Sequence, residues 1–355
     1  MTTIKINPLD VLFFRDGKPF SMGEDVWATG IFPPFPSTLY GALRASYFSD
    51  HIDKLEYANI EGKDDSLKLE IKKVYYSENS NVLFPIPLDL VRKVSTKKDE
   101  ESALLLKLKE NSSSISNYPF KKVLSLDINE KLESLSGNYF YNFELQKYLK
   151  KESEKFSYID SQKLLIQESK IGIARNKFTK TSDEGKIYRV SMIRSKENID
   201  FGIHIEYENL ELESKGKLRL GADGKIASFE KVENQRIEPP KINNLFKLYL
   251  STPAIFTNGW LPFGMNPEKL ETQKDGIHLK LLTCAIGRYT NVGGFQIKKG
   301  IQSSKAMYKA VPAGSVYYFE TDSNEPNKII ELFHGKSISD IHSKEGFGIC
   351  FVGAV

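Results

Sequence analysis

The run TIKIN at residues 2 to 6 alternates apolar and polar positions, whereas FPPFPSTLYGALRASY at 32 to 47 changes period. In the second run Leu39, Leu43 and Tyr47 recur every four residues behind Pro36 and Ser37. A period of two sends successive side chains to opposite faces of a strand, and a period near 3.6 lines them along one face of a helix. A chain that makes this switch within its first fifty residues has to lay a helix of about three turns on a sheet, so the predicted class is α+β. Ser37 is the predicted N-cap, because its hydroxyl accepts from an open amide of the first turn.

Residues 71 to 92 read as a hairpin that runs into proline-interrupted extended chain. Between about 95 and 165 the chain turns rich in lysine, serine and glutamate, with helical spacing in SALLLKLKE and FELQKYLKK, which predicts a helical insertion. The period then returns to two. KIGIAR and KIYRVSMIR predict the strands of a long β-hairpin, joined by the polar loop NKFTKTSDEG, which is longer than the connections common in hairpins. FGIHIEYENL and KLRLGADGKIASFEKV predict further strands.

A length of 355 residues exceeds one ordinary core and implies two domains. The predicted boundary is Glu238-Pro239-Pro240, since paired prolines stop helix and sheet alike. This gives one domain at 1–237, carrying the insertion of about 95–165, and another at 241–355. The second reopens with the strand-like NLFKLYLSTPAIF and closes with the helix-like KIIELFHG and the glycine-bearing GFGICFVG.

No run approaches the ~18 apolar residues of a membrane span. MTTIKINPLDVLFF lacks the layout of a secretory signal. A cytoplasmic chain with no membrane partner is expected, with Cys284 and Cys350 as reduced, buried thiols. Net charge is +4, yet residues 170–196 carry a local +6 and residues 276–319 another +6, which leaves the remainder at −8. Basic charge gathered in this way suits a polyanion-binding face on an otherwise acidic surface.

Catalytic signatures are sparse. The histidines His51, His204, His278, His334 and His342 are scattered, and HExxH, CxxC, GxSxG and a phosphate loop with GK[ST] are missing. Neither a metal nor a cofactor is predicted. One enzymatic alternative stays open, a metal-independent endoribonuclease that processes guide RNA with His51 in acid-base work.

The motifs LFFRDGKPF, FPPFPSTLYGALRA, GIARNKFTKTSDEGKIYRV, LRLGADGK, TPAIFTNGWLP, AVPAGSVYYFE and GFGICFVG, taken in order, resemble the RAMP-superfamily proteins of CRISPR systems. Within that superfamily they are similar to subunit three of the Cmr (type III-B) effector complex. The resemblance covers both ends and the middle, not the insertion. It implies two ferredoxin-like domains of the RNA-recognition type and a non-catalytic role in antiviral defence. It further implies that the subunit grips the 5′ tag of the CRISPR RNA (crRNA), beside the large polymerase/nuclease subunit and an adjacent backbone RAMP subunit. The segment 170 to 194 matches the hairpin thumb that reaches across the guide in related proteins. GFGICFVG is poorer in arginine than the superfamily's glycine-rich element, which counts against RNA contact there.

With that resemblance, three constellations are candidate RNA contacts. Ser37, Thr38 and Gly41 open a helix whose free amides and dipole favour a phosphate, and Arg44 lies two turns on; the competing reading is a capped helix with Arg44 paired to a carboxylate. Arg15 sits just before a predicted turn and reaches toward the same ligand. Lys170, Arg175, Lys177, Phe178 and Arg189 occupy the hairpin, where cations neutralise phosphate and an aromatic tip can stack a base. Arg288, Lys298 and Lys299 belong to the acid-free stretch, which suits single-stranded RNA and an acidic neighbouring subunit equally. A protein-interaction subunit with little RNA contact is therefore a further alternative.

Overall fold

The computed structural model describes residues 1–15, 27–28, 30–94, 102–111, 120–298, 301–322 and 325–355. Lys299 lies outside them, as does the side chain of Lys298. The class is α+β, with mostly antiparallel sheets and few helices.

Among the described residues, seven strands form a first sheet in the order Tyr139–Tyr141, Asn81–Pro85, Glu70–Glu78, Phe201–Glu208, Thr2–Pro8, Ile226–Val232 and Lys215–Arg219. Each neighbour runs antiparallel to the next. Thr2–Pro8 is an interior strand, and its alternation turns Ile4 and Ile6 to one face, where both are fully buried with Leu39 and Leu43. Sinking side chains of this kind stabilises the fold by roughly 1.5–3 kcal/mol each.

Leu39 and Leu43 lie on helix α1, Pro36–Asp50, which starts two residues before the predicted point. Phe35 holds the N-cap position with extended backbone, and no side chain caps the helix. Proline explains the shift. Its fixed φ suits the first helical position, and it has no amide to leave unpaired there. The Phe35 carbonyl instead accepts from Thr38 N (2.9 Å), so Ser37 stands inside the first turn and is no cap.

The predicted helical insertion is only partly helical. FELQKYLKK forms α2, Asn142–Lys150, and a short α3 follows at Ser161–Leu164. SALLLKLKE instead forms two strands, Ser102–Leu105 and Lys107–Glu110. Pairing decides the outcome: Ser102–Leu105 bonds on both sides, to Leu90–Lys93 and to Lys155–Ser157, and Ala103 and Leu105 alternate into the core. Tertiary contacts override a helical spacing that short.

Six strands form the second sheet, in the order Glu271–Lys274, Ile277–Ala285, Val316–Thr321, Leu245–Leu250, Ile349–Ala354 and Lys336–Ser337. Helix α4, Pro326–Phe333, buries Ile329 and Phe333 on it. The chain passes between the sheets from Val232 to Leu245. The sheets share a core, since Tyr75 and Phe84 of the first pack with Tyr249, Tyr318 and Phe351 of the second. At its centre Asp89 is buried and accepts from the hydroxyls of Tyr148 (2.7 Å) and Tyr318 (2.6 Å).

The terminal glycine-bearing element closes this junction. Gly346 has φ +95°, and a Cβ there would come within 2.7 Å of Ile71 Cγ2, so the residue must be glycine for the second half to sit against the first. Phe347 is fully buried and meets Phe35 with ring centroids 6.5 Å apart.

Candidate nucleic-acid interface

The hairpin of Leu165–Arg175 and Ser182–Ser195 is the longest pairing in the molecule, in register from Leu165 opposite Ser195 to Ile173 opposite Ile187, with an irregularity before Arg175. The strands extend further than the sequence suggested, and only residues 176–181 turn. Asn176 builds that turn: its side-chain oxygen accepts from Phe178 N (2.9 Å) and Thr179 N (3.1 Å). The local bonds spend the polar groups inward and leave the Phe178 ring outside, 94% exposed. Arg175 donates to the Lys180 carbonyl (3.3 Å), and Lys177 is exposed beside it.

Cross-strand partners share a face. Ile171 lies opposite Arg189 and Ile173 opposite Ile187, so three isoleucines and Arg189 stand on one face. All four are exposed. The other face carries Lys170 and Tyr188, whose ring lies over Gly172 and fills the place of a Cβ. Lys170 is also near Asp10. The Lys225 ammonium, 2.7 Å away, holds the Asp10 carboxyl below its usual range, and the Lys170 charge acts in the same direction.

Arg15 meets this hairpin at its base. Leu12 bridges Ile193, Trp27–Ala28 runs parallel to Arg189 and Val190, and Arg15 bridges Gly30. Gly30 is forced to be small, because a Cβ would lie 2.8 Å from the Ser191 carbonyl. Phe13, Val190 and Met192 form a small core beneath. Arg15, Arg189 and the hairpin cations are thus carried on one connected platform.

Arg44 points elsewhere. Its Nη2 pairs with Asp64 at 2.6 Å and approaches Asn59 Oδ1 at 3.1 Å, and its Nε donates to Ser66 at 2.8 Å. Burial pushes the Asp64 carboxyl up, but the Ser66 hydroxyl, the Asn59 amide and the Arg44 charge outweigh it and hold the group below the usual carboxylate range. Of the two readings open for Arg44, the structure presents the carboxylate pair. Gly41 is exposed with open space where a Cβ would stand, so no packing demands glycine there. Ser37 and Thr38 are half-buried, and the residues just before them, Phe32 and Pro34 included, line a cleft of about 190 Å³ between the two halves together with Tyr76, Asn138, Thr252 and Pro312.

The strands Thr290–Val292 and Tyr308–Ala310 pair, and Lys309 and Ala310 line an apolar cavity of about 400 Å³. Phe120 and Trp260 meet edge to face in its wall (6.0 Å), and Lys309 Nζ stands 4.8 Å from the centre of the exposed Tyr289 ring. Arg288 is exposed at the rim. Cys284 also lines it, but burial pushes its thiol up to about 12, which keeps it protonated and a poor nucleophile. The sequence singled out Arg288, which lies between the cavity-lining Gly287 and Tyr289, but missed Phe120 and Trp260, because these reach the same cavity from distant parts of the chain.

The histidines weighed for acid-base work have local partners or are buried. His51 stacks on Tyr47 (4.4 Å) with Nδ1 at the Tyr47 carbonyl (2.9 Å), and burial drives His204 down to about 4. No group of three or more His, Cys, Asp or Glu placed to hold a metal occurs among the described residues. No helix among them is long and apolar enough to cross a membrane.

A family model described as CRISPR-associated protein (Cas_Cmr3) matches residues 4–355. Among solved structures, the chain is similar to one in a cryo-EM structure of the type III-B Cmr-beta bound to cognate target RNA, at 17% identity and TM-score 0.52, over 93% of this chain and 88% of that one. A chain of a Csm3-Csm4 subcomplex in the type III-A CRISPR-Cas interference complex aligns at 13% identity and TM-score 0.41, over 92% and 95%. No curated protein matches.

Proposed function

The chain belongs to the Cas_Cmr3 family of CRISPR-associated proteins, and from that premise we propose that it is a non-catalytic subunit of a type III-B effector that grips the 5′ tag of the guide RNA. In this reading it acts in the cytoplasm, and the large polymerase/nuclease subunit and an adjacent backbone subunit dock on it. Each sheet is read as a ferredoxin-like unit of the RNA-recognition type. Four strands of each follow one order, second, third, first and fourth in the sequence of that unit, with α1 on the first and α4 on the second.

The observation that carries the reading is the shared platform of Arg15 and the hairpin root. Cations with an exposed aromatic tip, held on paired strands, neutralise phosphates and stack unpaired bases without reading sequence.

Guide affinity of the assembled complex, measured against salt, tests it. Arg15→Ala and Arg189→Ala should each weaken binding and lower the slope of log affinity against log salt by ~0.7. Unchanged affinity and slope in both would move the assignment to a protein-interaction subunit. Incubating the chain with guide precursor and EDTA tests the remaining rival, and a specific cut lost in His51→Ala would overturn the non-catalytic assignment.

A further inference from the structure

We propose that the open edge of the first sheet, strand Lys215–Arg219, together with the groove beside it, docks an extended segment of a partner protein in which acidic and apolar residues alternate. This is independent of the guide-RNA reading, because none of the residues involved belongs to the hairpin platform.

The sheet ends differently on its two sides. At one end Tyr139 exchanges backbone hydrogen bonds with Ile159 (3.0 Å each way), so that edge is covered. At the other, Lys215–Arg219 pairs, among the described residues, only with Ile226–Val232. Its bonding phase follows from the two ends of the ladder. Lys231 N donates to the Ser214 carbonyl (2.7 Å), and Leu220 N donates to the Lys225 carbonyl (2.9 Å). Antiparallel pairs alternate, so the bonded positions are 214, 216, 218 and 220. The amides and carbonyls of Lys215, Lys217 and Arg219 therefore face away from the sheet, spaced as one more strand requires.

Beside this edge lies a groove of about 730 Å³, bounded by α1 and the segment after it. Its walls include Gly41, Ala45, Ile52, Leu55, Leu218 and Ile226. Ile52 is 73% exposed and Leu55 54%, an apolar surface that an added strand would cover with every second side chain. The other side chains of that strand would lie on the face of Lys215, Lys217 and Arg219. These three are exposed, and among the described residues none has an ion-pair partner, even though Glu230 stands across the ladder from Lys215.

The chemistry selects the occupant. A second copy would bring three like charges against three, the arrangement by which lysines keep edges from pairing with themselves. A phosphate chain would satisfy the cations, but it offers no amides to the open carbonyls and no apolar groups to Ile52 and Leu55. A peptide alternating acidic and apolar residues answers all three features by strand addition.

The test uses the full chain and two fluorescent decapeptides of one composition, Val and Glu strictly alternating or permuted to helical spacing, with a U10 oligonucleotide as a third probe. Fluorescence anisotropy should show binding of the alternating peptide alone. Hydrogen exchange should show the Lys217 and Arg219 amides slowed on binding, by at least about tenfold. Ala45→Trp, which fills the groove, and Leu55→Glu, at an exposed site, should each weaken the peptide at least about tenfold, equivalent to 1.4 kcal/mol. If one variant fails to fold, the other carries the result. Absent binding, equal binding of the two peptides, or unprotected edge amides would overturn the proposal. Binding of U10 that is lost in Lys217→Glu and indifferent to Leu55→Glu would assign the face to nucleic acid instead.

Discussion

Lys247 Nζ stands 3.4 Å from the centre of the Tyr148 ring, with Asp89 3.8 Å away and all three side chains buried where the two sheets meet. Burial pulls the Lys247 ammonium down from 10.5 to about 8, against the opposing pull of Asp89. Between those values the unfolded chain binds a proton that the folded chain does not, so this group's contribution to stability rises with pH across that window. Subtracting the urea-unfolding free energies of Lys247→Met from those of the parent should leave a positive slope of no more than about 1.4 kcal/mol per pH unit. A flat or falling difference would show that Lys247 titrates as if solvated. Asp89→Ala strips the counter-charge and the acceptor of two tyrosine hydroxyls, and should cost about 3–5 kcal/mol.

The Arg44–Asp64 pair gives a second test. Asp64 is fully buried, so Arg44→Ala strands its carboxylate and should cost about 3 kcal/mol in chemical denaturation. With a folded value below 3.8, Asp64 adds stability that is full above about 3.8 and disappears as pH falls through its folded value. Asp64→Asn should therefore flatten the acid limb of the stability curve. An Arg44→Ala protein as stable as the parent but defective for guide RNA would favour an RNA contact for Arg44 over a structural pair.

Two glycines should respond with opposite signs. Gly41 is helical and exposed with open space around a new Cβ, so Gly41→Ala should stabilise by about 0.5–1 kcal/mol. Gly346 combines φ +95° with contact against Ile71, so Gly346→Ala should destabilise by at least about 1 kcal/mol. Thermal melts of the two variants check both, and a neutral Gly346→Ala would mean that the junction gives way at little cost.

The sequence made strands and helices legible wherever one residue's neighbours decide its face. Thr2–Pro8, the hairpin strands, α2 and α4 all follow from their periods. Ser102–Leu105 did not, because one of the two strands that hold it, Lys155–Ser157, lies some fifty residues further along the chain. The Arg44–Asp64 pair was likewise hidden, since it needs the turn at 59–66 to bring a carboxylate back onto α1. At the candidate interface the hairpin cations were visible as a local excess of charge. The anchoring of Arg15 on the hairpin root was not, because it depends on a bridge to Gly30 and on the carbonyl of Ser191.

The hairpin tip separates folding from function most sharply. Phe178 makes its turn through its backbone amide, while its ring, 94% exposed, contributes almost nothing to the core. Phe178→Ala should leave the melting temperature unchanged. If the ring stacks on an unpaired guide base, the same change should cost about 1–3 kcal/mol of guide binding in the assembled complex, and Phe178→Trp should preserve most of it. Asn176→Ala provides the contrast, because it removes the acceptor of two tip amides and loosens the turn that presents the ring. Guide affinity should then fall in Asn176→Ala with the aromatic still present. Equal guide affinity in the parent, Phe178→Ala and Asn176→Ala would place the RNA elsewhere on the molecule and leave the hairpin with a structural or docking role.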